Sequence, residues 1–265
     1  MTDLDILLDR LFDDASLFPP AKLPLDQAVA GHLIHRAAGH AAAVGPLVVG
    51  VDHLPRVPAA TDVAVTGQVG ALATALQGAP SARVAWIEAS GALPEVLDLL
   101  RDRPGYAEID LRRRTADVLD DVLDASAAGV AVKFRAGGVT ASAFPTEAEL
   151  AVALRACAVH SLPFKLTAGL HGAARHRDAV TGFEHHGLLN VVLAVDAAQR
   201  GASDDEVAGV LGEHDERALA DAVLGLPPQR VTAIRTAFRS VGTCSVEESL
   251  TALADAGLQV GEHVP

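Results

Sequence analysis

Lysine is scarce in this chain. Of its 21 basic residues three are lysine, Lys22, Lys133 and Lys165, and arginine supplies the rest. Arginine stays protonated under ordinary conditions, whereas a desolvated lysine can lose its proton and serve as a nucleophile or base. A lysine kept against such a background is a candidate for chemistry. Cysteine is scarcer still: Cys157 and Cys244 are too few for a disulfide framework, and neither belongs to a metal-type Cys-x-x-Cys pair, which fits a reducing compartment. Long apolar runs are missing although half the residues are hydrophobic and the mean hydropathy is +0.28. No transmembrane helix is therefore expected. The opening residues, MTDLDILLDRLFDD, are acidic where a secretory signal is basic, so a cytoplasmic location is expected. Positive charge is also short. A net charge of -13 opposes binding to nucleic acid or to an anionic membrane, both of which need a basic field. The expected partner is a small molecule, and self-association into a homo-oligomer is compatible with this composition.

Several signatures are absent too. No GxGxxG or GxxxxGK[ST] follows a strand-like segment, and His171, His176, His185 and His186, though close together, form neither HxH nor HExxH. No cofactor is expected on these grounds, a divalent metal being the alternative.

What is present is an alternation of short β-branched runs with longer amphipathic segments, the pattern of βα units around a parallel sheet. Strand candidates fall at residues 47–51, 62–66, 84–88, 106–111, 130–135, 163–167, 188–195 and 238–243. Between them Thr146 to Glu149, Ser203 to Glu206 and Ser245 to Glu248 read as Ser/Thr-x-x-Glu capping boxes, and Thr115 opens a helix that stops at Gly129. Eight strands without a phosphate loop predict a (β/α)8 TIM-type barrel spanning residues 1–265 as one domain, irregular in places and with an N-terminal extension. Residues 13–24, which precede a helix over roughly 25–44, compete for the role of first strand; one later segment would then leave the barrel. Residues 54–60 carry two prolines and are too short for a regular crossover helix.

Active sites of such barrels gather at the carboxyl ends of the strands, so polar residues on the inward face there are informative. Val130, Val132 and Phe134 share one face and leave Lys133 and Arg135 on the other, followed by Gly137 and Gly138. Phe164 and Leu166 likewise oppose Lys165 and Thr167, with Gly169 and His171 beyond. Ile109 and Leu111 oppose Glu108, Asp110 and Arg112, while Glu88 and Asn190 fall at similar depth on other strands. A structural ion-pair network is the plain alternative for these charges. Ser240, Thr243 and Ser245 belong to a turn that runs into a capped helix and could hold an anion. No histidine is tied to Cys244 by sequence, so a small buried residue is expected there, and Cys157 reads as core. The segment FDDASLFPPAK, with Asp13, Asp14 and Lys22, is too distinctive for a plain terminus.

The lysine strands resemble class I aldolases of the deoxyribose-phosphate aldolase type. In that family one strand ends in Lys-Thr-x-Thr-Gly with the Schiff-base lysine, and a neighbouring strand carries a second lysine before a Gly-Gly pair. Lys165-Leu166-Thr167-Ala168-Gly169 is similar to the first and Lys133-Phe134-Arg135-Ala136-Gly137-Gly138 to the second. Here the two occur in reverse order along the chain, and Leu166 stands in place of the first threonine. FDDASLFPPA, VKFRAGG, FKLTAGLHG and GTCSVEE also resemble segments of a bacterial protein family.

The resemblance implies an aldolase or lyase acting on a small anionic carbonyl compound, with Lys165 as amine nucleophile beside Lys133. Asp110 or His171 would move protons. Arg135, Thr167, Gly137, Gly138, Asn190, Ser240, Thr243 and Ser245 would bind substrate. Two further readings stay open: a metal-assisted isomerase, dehydratase or hydrolase with Glu88, Glu108 and Asp110 as ligands, and a silent barrel that binds a metabolite.

Overall fold

In the computed structural model, which describes residues 2–78 and 80–258, eight parallel strands close into a barrel. Met1, Ala79 and residues 259–265 of the expected domain lie outside the described residues. The strands are β1 (Phe12–Asp14), β2 (Val44–Gly50), β3 (Asp62–Gln68), β4 (Arg83–Ser90), β5 (Gly105–Ile109), β6 (Ala131–Arg135), β7 (Phe164–Thr167) and β8 (Phe238–Thr243). Each pairs with its neighbours in sequence, and β1 seals the ring by pairing with β8, Asp13 lying opposite Gly242.

The first strand is thus the short Phe-Asp-Asp segment, and residues 188–195 are not a strand. They begin the helix α7 (Leu188–Gln199), which is buried on nearly every side. A helix enclosed by protein all round carries a continuous apolar run, and over eight residues such a run cannot be told from a buried strand. The long β7–β8 connection holds a small antiparallel ribbon, His176–Arg177 against Glu184–His185, and then α7, α8 (Asp204–Leu211), α9 (Glu216–Leu224) and α10 (Pro228–Ala237), in place of a single crossover helix. The other α-helices among the described residues are α1 (Asp3–Leu8), α2 (Leu25–Ala37), α3 (Val69–Leu76), α4 (Leu93–Leu100), α5 (Thr115–Ala128), α6 (Glu147–Val159) and α11 (Val246–Asp255).

Local signals behave as their chemistry dictates. Thr146 and Ser203 form reciprocal capping boxes with Glu149 and Glu206. Ser245 accepts the Glu248 amide at the start of α11. Gly129 ends α5 in the left-handed region at φ 69°. A single 3-10 turn, Leu54–Arg56, replaces a crossover helix between β2 and β3. Helix α2 stops at Ala37, earlier than its apolar pattern predicts, and β2 begins at Val44.

Strand alternation divides the side chains. Phe134, Leu166, Phe164, Val132 and Ile109 point outward into the main core formed with the surrounding helices. Register then stacks the inward residues in rows: Glu108 beside Lys133, Lys133 beside Lys165, Thr66 beside Glu88. The barrel interior therefore carries charge where most such barrels carry branched aliphatics. No described helix is long and apolar enough to cross a membrane.

Candidate functional site

Five charged side chains meet inside the barrel. Lys165, wholly buried, donates to Asp13 Oδ2 at 2.6 Å and to Glu88 Oε1. Its ammonium group also lies 5.6 Å from the Trp86 ring centre and 5.7 Å from that of Tyr106, within cation–π range. Glu88 turns its other oxygen to Lys133 at 3.0 Å, so a single carboxylate bridges the two lysines. Lys133 also reaches Glu108 Oε2 at 2.7 Å, and Thr66 Oγ1 stands 3.5 Å away. Ser240 donates to Asp13 Oδ2 at 2.6 Å. The remaining Asp13 oxygen has no hydrogen-bond partner and packs against Gly45, where a Cβ would sit 2.2 Å from it. Only glycine fits there.

The electrostatics follow from burial set against pairing. For Lys165, burial alone would strip the charge, but Asp13 and Glu88 outweigh it and raise the pKa above the ordinary lysine range. Burial would likewise raise Glu88, yet Lys165 and Lys133 together hold it at about 2. Asp13 goes the other way: burial dominates and lifts its carboxyl, in spite of Lys165 and Ser240. Glu108, less enclosed, is lowered by Lys133 and Arg135 against its own burial. The two carboxylates thus favour the charged form of Lys165.

A cavity of about 700 Å³ lies above this cluster at the carboxyl ends of the strands, a size suited to a small ligand. Lys133, Glu88, Thr66, Arg135, Thr167 and His171 all line it; Lys165 does not. Phe18 with the two following prolines forms one wall, and Phe144, Phe183 and His185 form another, the Phe144 and His185 rings 4.4 Å apart. Arg135, at the end of β6, is half exposed and lies 3.5 Å from Glu108 Oε1. His171, in the loop after β7, places Nε2 3.6 Å from Cys244 Sγ.

The glycines divide in role. Gly138 lines the cavity. Gly137 is instead a packing glycine: a Cβ there would lie 2.6 Å from the Phe144 ring and 2.8 Å from the Cα of Gly169, which itself has φ +72°.

Several expected residues are not brought to the cavity. Asp110 is exposed beyond the end of β5 and accepts the Arg112 amide at 2.9 Å, a turn-stabilising bond. Asn190 lies on α7, not on a strand. It clamps the β7–β8 connection, accepting from the Arg175 amide and donating to the carbonyls of Val210 and Glu213. Ser240 holds Asp13 and borders a depression at the opposite end of the barrel, with Arg10, Arg235 and Arg239. Thr243 is buried against Ser249, and Ser245 is occupied as the cap of α11. Asp14 is tied to His32 at 3.2 Å and to the Ser16 amide, and Lys22 is exposed.

Of the carboxylates expected as metal ligands, Glu88 and Glu108 are committed to lysines and Asp110 lies apart. Among the described residues no group of three or more His, Cys, Asp or Glu is placed to hold a metal ion. Sequence reasoning missed Asp13 as a partner of Lys165 and Glu248 as a neighbour of His171, whose Nδ1 lies 3.3 Å from its Oε2. The FDDASLFPPAK segment was the available signal for the first; nothing local signalled the second.

No family model matches the chain, and no curated protein matches it. Among solved structures, it is similar to a variant of the carboxyl transferase domain of Rhizobium etli pyruvate carboxylase with pyruvate. The identity is 12% and the TM-score 0.38, over 89% of this chain and 50% of that one. The same domain with pyruvate and biocytin matches at 13% identity and a TM-score of 0.32, over 80% of this chain and 37% of that one. The chain thus spans half or less of the length of either.

Proposed function

We propose that this barrel is a small-molecule enzyme of the Schiff-base-forming aldolase or lyase kind, acting on a small anionic carbonyl compound, with Lys133 as the amine that meets the substrate. The observation that carries this reading is that Lys133 lines the cavity beside Arg135, while Lys165, its register partner, is sealed beneath it. Lys165 keeps its charge and anchors Glu88; it is a positioning residue.

In the proposed reaction Glu108, 2.7 Å from the Lys133 ammonium group, accepts its proton and frees the nitrogen lone pair. The nitrogen adds to the substrate carbonyl, whose electron pair moves to oxygen. That oxygen takes one proton from the nitrogen and the one held by Glu108 and leaves as water, giving an iminium ion on Lys133. The iminium then draws the electrons of the bond between its α and β carbons as that bond breaks. Glu108 takes the proton of the β-hydroxyl, whose carbon departs as an aldehyde, and returns it to the α carbon of the enamine. Water then hydrolyses the iminium to a ketone and the free amine. Arg135 supplies a charged contact for the substrate anion, and Thr66 and Thr167 offer hydroxyls to the same space.

The test is borohydride reduction in the presence of small aldehydes and ketones bearing carboxylate or phosphate, followed by peptide mass mapping. A covalent increment on the Lys133 peptide is expected, and Lys133→Arg should abolish it. An increment on Lys165 instead, or turnover that survives Lys133→Arg, would sink the reading.

A further inference from the structure

Cys244, His171 and Glu248 meet at the rim of the cavity, and all three line it. Cys244 follows the last residue of β8 and precedes Ser245, the cap of the ten-residue helix α11. Its sulfur lies 3.6 Å from His171 Nε2. The other ring nitrogen of His171, buried and off line for a hydrogen bond, lies 3.3 Å from Glu248 Oε2 in the first turn of α11. The order thiol, imidazole, carboxylate is that of an activated nucleophile, in which the base takes the thiol proton and the carboxylate favours the resulting cation.

The second cysteine makes the contrast plain. Cys157 is 1% exposed and packs in the main hydrophobic core. Burial raises both thiols; at Cys244 the Ala21 amide pulls the other way, while the Glu248 and Asp14 carboxylates add to the rise. A resting thiol needs a base at the moment of attack, and His171 Nε2 is within reach.

We propose that Cys244 is a second reactive centre of this cavity: a thiol nucleophile, with His171 as its base, that accepts an acyl group from a small ester or thioester. The sulfur bonds to the acyl carbon as its proton passes to His171 Nε2, and the carbonyl electron pair moves to oxygen. Collapse of that intermediate expels the alkoxide or thiolate, which takes the proton from His171. Water, deprotonated by His171, then releases the acid and restores the thiol. None of these steps requires Lys133, and the inference stands apart from the Schiff-base reading.

Incubation of the full chain with p-nitrophenyl acetate, followed by acid quench and peptide mapping, tests it. An acetyl group on the Cys244 peptide, labile to neutral hydroxylamine, is expected, with none on Cys157. His171→Ala should slow nitrophenol release by about 100-fold, the scale of a lost general base, and Glu248→Gln by a smaller factor. Cys244→Ser should remove the labile acetyl group, and His171→Gln replaces the alanine variant if that variant does not fold. Acetylation confined to amines, or a Cys244 rate unchanged without His171, would overturn the proposal. Borohydride reads an adduct on Lys133 and this experiment one on Cys244, so either reading can fail alone.

Discussion

Lys133 and Lys165 sit side by side at the same register of β6 and β7, each followed by a loop with glycine, and each touches Glu88. Their surroundings differ above and below. Lys165 has two carboxylates within reach, two aromatic rings for a floor and no access to the cavity. Lys133 has the cavity on one side, and its second carboxylate, Glu108, is 22% exposed. One register thus yields a structural cation and a cation at the edge of a binding space. What separates them is neighbours contributed by β1 and β5, so a lysine's motif does not decide its role.

The comparison can be broken most forcefully at the shared carboxylate. Glu88→Gln leaves two buried ammonium groups short of a counter-charge and should cost about 3–5 kcal/mol of stability in denaturant titration. The same carboxylate carries a pH signature. It titrates at about 2 when folded against 4.5 unfolded, so its stabilisation is complete above about pH 4.5 and lost as pH falls towards 2. The gap in melting temperature between wild type and Glu88→Gln should therefore narrow across that window.

Lys165→Met should cost about 3–5 kcal/mol, because Asp13 is left charged or freshly protonated in a sealed space. Lys133→Met should cost less, about 1–3 kcal/mol, since the Glu108 it leaves is partly exposed. Equal losses measured by chemical denaturation would erase the distinction between the two lysines. Smallest of all, Arg135→Gln should change stability by about 0.5 kcal/mol or less, its pair with Glu108 being half exposed. Calorimetric titration with a small dicarboxylate should nevertheless show weakened binding in that variant.

Much of the fold was legible because strand and helix periods are written locally. The face that carries Lys133 and Arg135 could be told from the one that carries Phe134 by alternation alone, and the structure keeps that division. The two assignments that alternation did not settle have one physical origin. Phe12–Asp14 is a three-residue strand, too short to show a period, and Leu188–Gln199 is a helix buried all round, which hides its period. The ring of eight holds in the form of the competing reading, in which the segment around residues 13–24 supplies the first strand and one later segment leaves the barrel. At the site, Asp110 follows the alternation of its strand on paper, but β5 ends at Ile109 and the chain turns away. Cys244 and His171 lie 73 residues apart, and no local pattern could join them.

The seam between β1 and β8 has a consequence for how the chain is made. Asp13 leaves the ribosome well before its hydrogen-bond partners Lys165 and Ser240, which lie 152 and 227 positions further on. Until β8 has emerged, the first strand lacks one of its two neighbours, and an aspartate destined for the interior stays in water. Contacts of such long sequence separation form slowly, since the loop they close must be ordered first. A nascent chain halted before Phe238 would hold a sheet open at both β1 and β7, edges of the kind that pair with other chains and call for chaperone cover.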